Sequence, residues 1–223
     1  MSEFDKFASN YQESLRKGLA LTRTSDEYQA KYKVELLKRY AIDDAANVNI
    51  LDFGCGVGLS VPYLLSRFVK SKIFVTDVSQ VSLDVVRAKF AKVMIIDSVV
   101  NTAEKFDAIY MSTVLHHITS AQRVEILENL RTKLKPQGCL FVVEHNTYNP
   151  VTQRIVSTCP MDINAELISM RNIKRLLTQD CGYQIRDTGY CSFFPQPLKA
   201  LAKLDGVLKR VPLGGQYFVL ATP

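Results

Sequence analysis

The residues able to do chemistry gather in two places. The first is the run Asp52-Phe53-Gly54-Cys55-Gly56-Val57-Gly58, a carboxylate followed by three glycines at every second position. Glycine has no Cβ and takes positive φ, so such a run lets a ligand approach the backbone closely. Apolar residues 48–51 before it predict a strand, and residues 59–65 after it predict a helix whose free N–H groups face the ligand. The chemistry suited to that unit is the seating of a nucleotide-like cofactor. The second place is Glu144-His145, with His116-His117 upstream. A histidine that titrates near neutrality suits general-base work on a hydroxyl. His145 is therefore the first candidate base, with Glu144 and His116 as further candidate catalytic groups.

These residues need a scaffold, and the pattern around them supplies one. Strands are predicted at 48–53, 72–77, 92–96, 106–112 and 139–145, with helices at 59–69, 80–90 and 120–134 between them. Ser79 is the predicted N-cap of helix 80–90, and Pro136-Gln137-Gly138 is read as the stop after helix 120–134. Alternation of this kind predicts an α/β fold, a doubly wound and mostly parallel sheet with helices on both faces. Ligands of such sheets lie beyond the C-terminal strand ends, where Asp52, Asp77, Asp97, Ser112 and Glu144-His145 fall.

Residues 1–47 read as a helical cap. Phe4, Phe7, Ala8 and Tyr11 make one apolar stripe, and residues 26–40 a second amphipathic helix carrying Tyr28, Tyr32, Leu36 and Leu37. Beyond 146 the pattern becomes irregular through Cys159-Pro160; a helix at 170–180 capped by Ser169, a strand at 183–194 and a final strand from Gln216 are predicted there. A basic helix at 198–210 carries Leu198, Leu201, Leu204, Val207 and Leu208, read as packing on the core, with a membrane surface or an anionic substrate as the alternative. One domain over residues 1–223 is the expectation: cap 1–47, cofactor-binding core 48–146, and acceptor-side segment 147–223.

Composition narrows the class. No apolar run reaches the roughly 20 residues that span a bilayer, and the N-terminus shows no secretory pattern, so a cytoplasmic location is expected. Five cysteines form no C-x-x-C pair and no metal-ligand spacing; they read as reduced thiols, with no metal expected. The net charge of +6 would suit an anionic substrate, nucleic acid or a membrane surface, and the small-molecule acceptor is expected to be anionic or lipid-linked. The basic residues nevertheless form no dense block, and nucleic acid is disfavoured.

The glycine spacing separates two cofactor classes. A dinucleotide loop is G-x-G-x-x-G, but position 59 is Leu, and Asp52 would repel a pyrophosphate. A nicotinamide-dependent oxidoreductase is thus the weaker alternative. Motif I of the class I S-adenosylmethionine-dependent methyltransferases resembles Asp52-Phe53-Gly54-Cys55-Gly56-Val57-Gly58 instead. The resemblance extends to Asp77 after the second strand and Asp97-Ser98 after the third. It continues through Phe106-Asp107-Ala108-Ile109, Val114-Leu115-His116-His117-Ile118 and Leu134-Lys135-Pro136-Gln137-Gly138, with Phe4–Tyr11 similar to the N-terminal helix of small-molecule members.

The resemblance implies a Rossmann-like, seven-stranded sheet and S-adenosyl-L-methionine as cofactor, leaving S-adenosyl-L-homocysteine as product. It implies a cofactor set of Tyr11, Asp52, Gly54, Cys55, Gly56, Asp77, Val78, Asp97, Ser98 and Met111, with Asp77 on the ribose hydroxyls and Asp97-Ser98 near the adenine. The implied activity is methyl transfer to oxygen, nitrogen or carbon of a small molecule. A non-catalytic cofactor-binding module is the alternative from another class. The acceptor is expected against Glu144-His145 and the irregular segment after them.

Overall fold

The computed structural model describes residues 23–223. Seven strands form one sheet: β1 (Asn49–Phe53), β2 (Lys72–Thr76), β3 (Met94–Ile95), β4 (Phe106–Ser112), β5 (Leu134–His145), β6 (Gln184–Cys191) and β7 (Gln216–Thr222). Their order is β3-β2-β1-β4-β5-β7-β6. Pairs β1–β2, β1–β4, β2–β3 and β4–β5 are parallel, and β7 runs antiparallel to β5 and β6. The helices are α1 (Asp26–Tyr40), α2 (Val61–Arg67), α3 (Gln80–Lys89), α4 (Ser120–Lys133), α5 (Pro150–Thr158), α6 (Met170–Arg175) and α7 (Asp205–Leu208). Strand order reverses between β1 and β4, which puts the expected ligand crevice beyond the ends of those strands.

Period-two alternation along the buried strands builds two cores. Ile50, Ala108, Tyr110 and Phe141 face Leu37 of α1, Leu64 of α2 and Val86 of α3. Leu51, Ile109, Met111 and Leu140 face Leu127 and Leu130 of α4 and Ile173 of α6. Helix starts follow the expected chemistry: Ser79 Oγ accepts from Ser82 N–H, and Ser169 Oγ from Asn172 N–H, both at 3.2 Å. No helix among the described residues is long and apolar enough to cross a membrane.

Several boundaries differ from expectation. Strand β3 has only two residues, and β5 begins at Leu134, five positions before the expected 139. The Pro136 turn lies inside β5 because the strand bulges: Phe106 pairs Leu134 and Ala108 pairs Cys139, leaving residues 135–138 opposite Asp107. Helix 170–180 becomes α6 followed by a π-turn at Leu176–Asp180. The expected helix 198–210 is a 3-10 segment, Gln196–Leu204, leading into α7. Its leucines do not pack on the core. Leu198, Leu201 and Leu204 are 49%, 43% and 47% exposed. Beyond a kink at Leu198, Leu201 and Leu204 stand three apart, so at three residues per turn they share one face, and here that face is outward. Phe4, Phe7, Ala8 and Tyr11 lie outside the described residues.

Candidate functional site

The glycine loop crosses from the end of β1 to α2, held against the end of β2. Gly54 N–H and Cys55 N–H both donate to Thr76 O, at 2.9 and 3.1 Å. Gly54 has φ +74°, and a Cβ there would sit 2.6 Å from a Val114 methyl. Only glycine allows this turn to rest directly on the segment after β4. Gly56 N–H donates to Asp77 Oδ2 at 2.8 Å, while Asp77 Oδ1 accepts from Ser79 N–H at 2.8 Å. Asp77 thus ties the loop to the start of α3.

Asp52 sits under the loop, 2% exposed, and its Oδ2 has no hydrogen-bond partner among the described residues. Burial, reinforced by the Asp77 charge, raises its pKa to about 7, against the pull of Lys33. Lys33 reaches this position from α1 and is itself buried; burial lowers its ammonium to about 8 despite Glu144, Cys191 and Asp52. Lys33 Nζ donates to Thr113 Oγ1 at 3.3 Å. Thr113 holds φ +54°, a strained conformation for a β-branched residue. Such strain persists where surrounding structure imposes it, here through Thr113 N–H donating to Val143 O at 2.7 Å.

The second group of polar residues forms around Glu144 at the end of β5. Glu144 Oε1 accepts the N–H groups of Val114 and Leu115 at 3.0 and 2.7 Å. Its other oxygen lies 2.6 Å from His116 Nδ1. Burial would raise the Glu144 pKa, but His116 and these bonds outweigh it and hold it at about 2. His116, 1% exposed, is depressed by burial and lifted further by Glu144 and Asp162, to about 9. His117 is pushed down to about 4, and His145 to about 3, by burial and then by the charge on His116. His145, the expected base, lines the cavity as an imidazole that burial and then the His116 charge keep neutral. Glu144, with both oxygens engaged, positions His116 and the turn after β4.

A cavity of about 760 Å³ joins the two groups. Asp52, Gly54, Cys55 and Lys33 line it together with His116, His117, His145 and Asp162. Ile155, Met161 and Leu198 add apolar wall. Among the sequence candidates, the cavity does not bring in Gly56, Asp77, Val78, Asp97 or Ser98. Gly56 N–H and Asp77 Oδ2 bond each other; Val78 is 75% exposed after β2, and Asp97 is exposed after β3. Met111, expected at the cofactor, is fully buried in the opposite core with Leu127. The strand alternation gives the cavity side to Ser112 instead. Tyr11 falls outside the described residues.

Sequence reasoning missed Lys33 and Asp162. Lys33 is one of several basic residues between the apolar positions of α1. Its place one turn after Gln29 and one before Leu37 marks the inward stripe, and Gln29 also lines the cavity. Asp162 carries no local signal, because its partners are 45 or more residues away.

Known proteins with this pattern agree with the geometry. Residues 51–140 match a family model described as a methyltransferase domain. The chain is 24% identical over 166 residues to malonyl-[acyl-carrier protein] O-methyltransferase 2 of Ilyobacter polytropus. That match covers 70% of this chain and 63% of the relative, so it spans less than two thirds of the relative's length. An S-adenosylmethionine-dependent methyltransferase from Mesorhizobium loti superposes with TM-score 0.61 at 16% identity, covering 86% of this chain and 98% of that one. A chain in the complex between the Haloferax volcanii Trm112 methyltransferase activator and the putative methyltransferase superposes with TM-score 0.70 at 14% identity, over 100% and 98% of the two chains.

Proposed function

We propose that this chain, which belongs to the class I S-adenosylmethionine-dependent methyltransferases, transfers a methyl group to an ionised oxygen, a carboxylate, of a small-molecule acceptor. The observation that carries this reading is one cavity lined both by Asp52 with the glycine loop and by His116, His117, His145 and Asp162.

The residues present fit the cofactor. The orphaned, buried Asp52 Oδ2 is a ready acceptor for a cationic group, and the Gly54 cradle would be filled by any Cβ. Asp52 would hold the cationic amino-acid end, and the backbone of Gly54, Cys55 and Gly56 would pass alongside it. Asp77 would take the ribose hydroxyls, with Val78, Asp97 and Ser98 towards the adenine. S-adenosylmethionine supplies a methyl group activated on a positively charged sulfur.

The histidine wall bears on the acceptor's ionisation. Neither His145 at about 3 nor His117 at about 4 is a strong base, and Glu144 is consumed by His116 and two N–H groups. An acceptor oxygen that is already ionised removes the need for one. Its lone pair forms the C–O bond, the methyl–sulfur bond breaks with its electron pair staying on sulfur, and no proton moves. Lys33, which lines the cavity, supplies positive charge to steer the anion, and Ile155 and Met161 suit an apolar body behind it. Positioning accounts for the catalysis this requires. The O-methyltransferase relative supports oxygen as the acceptor atom.

The test has two arms. S-adenosylhomocysteine should raise the melting temperature while NAD should not, and the reverse sinks the methyltransferase reading. Methyl-labelled cofactor incubated with a carboxylic-acid library should give label released by mild alkali, as from an ester; alkali-stable label overturns the carboxylate acceptor.

A further inference from the structure

We propose that His116, His117 and Asp162 bind a divalent transition-metal ion, zinc by preference, in the acceptor wall of the cavity. His116 and His117 come from the 3-10 turn Leu115–His117, and Asp162 from a second such turn, Pro160–Asp162. Asp162 Oδ1 lies 3.6 Å from His116 Nε2 and 3.4 Å from His117 Nε2. Zinc bonds of about 2.0–2.2 Å in a tetrahedron separate ligand atoms by roughly 3.3–3.5 Å. Two edges of the triangle are therefore close to a zinc site, and all three ligand atoms fall within 4.8 Å of one another.

The surroundings match what a metal histidine needs. A ligating imidazole usually gives its second nitrogen to a carboxylate, which fixes its tautomer and ring orientation. Glu144 does this for His116, receiving Nδ1 at 2.6 Å and leaving Nε2 towards Asp162. Glu144 is itself fixed by the N–H groups of Val114 and Leu115. The two ligand-bearing turns are riveted together as well. Glu166 N–H donates to His116 O at 2.7 Å, and the buried Arg123 donates to the carbonyls of Leu115, Ile118 and Glu166. The ligands are thus pre-positioned by contacts that do not involve an ion.

Charge and ligand type select the ion. Glu144 and Asp162 bring two negative charges, and their ion-pair partners among the described residues are histidines. A divalent cation on neutral imidazoles balances both. Two imidazoles and a carboxylate suit zinc and its first-row neighbours better than magnesium or calcium, which prefer oxygen ligands. Three protein ligands leave one position open, the arrangement of catalytic rather than structural zinc. His117 and Asp162 line the cavity, so the open position faces the acceptor. On the reading of methyl transfer proposed above, it takes one oxygen of the acceptor carboxylate and orients the other. Sequence spacing concealed the site, since the ligands are adjacent histidines and an aspartate 45 residues on.

The experiment uses the full chain, stripped with chelator and desalted, titrated with cobalt(II) and then with zinc against a chromophoric chelator. Wild type should bind one ion and give the visible absorption of four-coordinate cobalt. His117→Gln and Asp162→Asn should each weaken binding at least about 100-fold, and Glu144→Gln by about 10–100-fold. Melting curves identify folded variants, and His116→Gln replaces any variant that fails to fold. A folded wild type without a one-to-one ion, or Asp162→Asn binding as wild type does, overturns the site. S-adenosylhomocysteine stabilisation measured on the same samples keeps the two proposals apart: stabilisation without metal sinks the metal site alone. Metal without stabilisation upholds the site and sinks the methyl-transfer reading.

Discussion

Replacing Asp52 with Asn isolates the tension between folding and cofactor binding at the glycine loop. The folded chain holds the Asp52 proton until about 7, whereas a free aspartate carboxyl releases it at 3.8. Between those values the folded state carries more protons than the unfolded one, so each rise in pH lowers stability. At about 1.4 kcal/mol per pH unit, the ceiling is roughly 4 kcal/mol above pH 7. From pH 5 to pH 8 the share lost is roughly 2–3 kcal/mol. Asn has nearly the same shape and does not ionise. Urea denaturation of the ligand-free wild type and Asp52→Asn at pH 5, 6, 7 and 8 should give curves that diverge, the variant gaining by that amount. Any fixed cost of placing an amide there shifts the variant equally at every pH, so the slope is the readout. The same change should weaken S-adenosylmethionine about 10–100-fold, by the loss of a hydrogen bond to a charged group worth about 1.5–3 kcal/mol. Stabilities that stay parallel within about 0.5 kcal/mol across this range would refute the argument.

Gly54→Ala must move Val114, because the new Cβ would lie 2.6 Å from its methyl at φ +74°; a loss of about 1–3 kcal/mol is expected by thermal unfolding, with weaker S-adenosylhomocysteine binding by calorimetry. Glu144→Gln removes the counter-charge from buried His116 and should cost about 3–5 kcal/mol in chemical denaturation. The triple change Leu198→Gln, Leu201→Gln and Leu204→Gln touches an exposed row, so each should alter stability by less than about 0.5 kcal/mol. A large loss there would show that the row is buried in solution.

The amino-acid sequence by itself determined the alternation of strands and helices, the two-faced sheet, the glycine loop and the acids at the C-terminal ends of β1 and β2. These are local: the apolar period, the Ser79 and Ser169 caps and the glycine spacing each act within a few residues. Tertiary structure decided what depended on packing across the chain. It drew the burial of Lys33 beside Asp52, the bulge that carries β5 through Pro136, and the outward leucine row of Gln196–Leu204. It also decided the ionisation of the histidines. His145 reads in sequence as a base near neutrality, yet burial and the charge on His116 leave it at about 3. A pKa is set by burial and neighbouring charge, and Asp162 becomes a neighbour only when the chain after β5 folds back over the turn after β4.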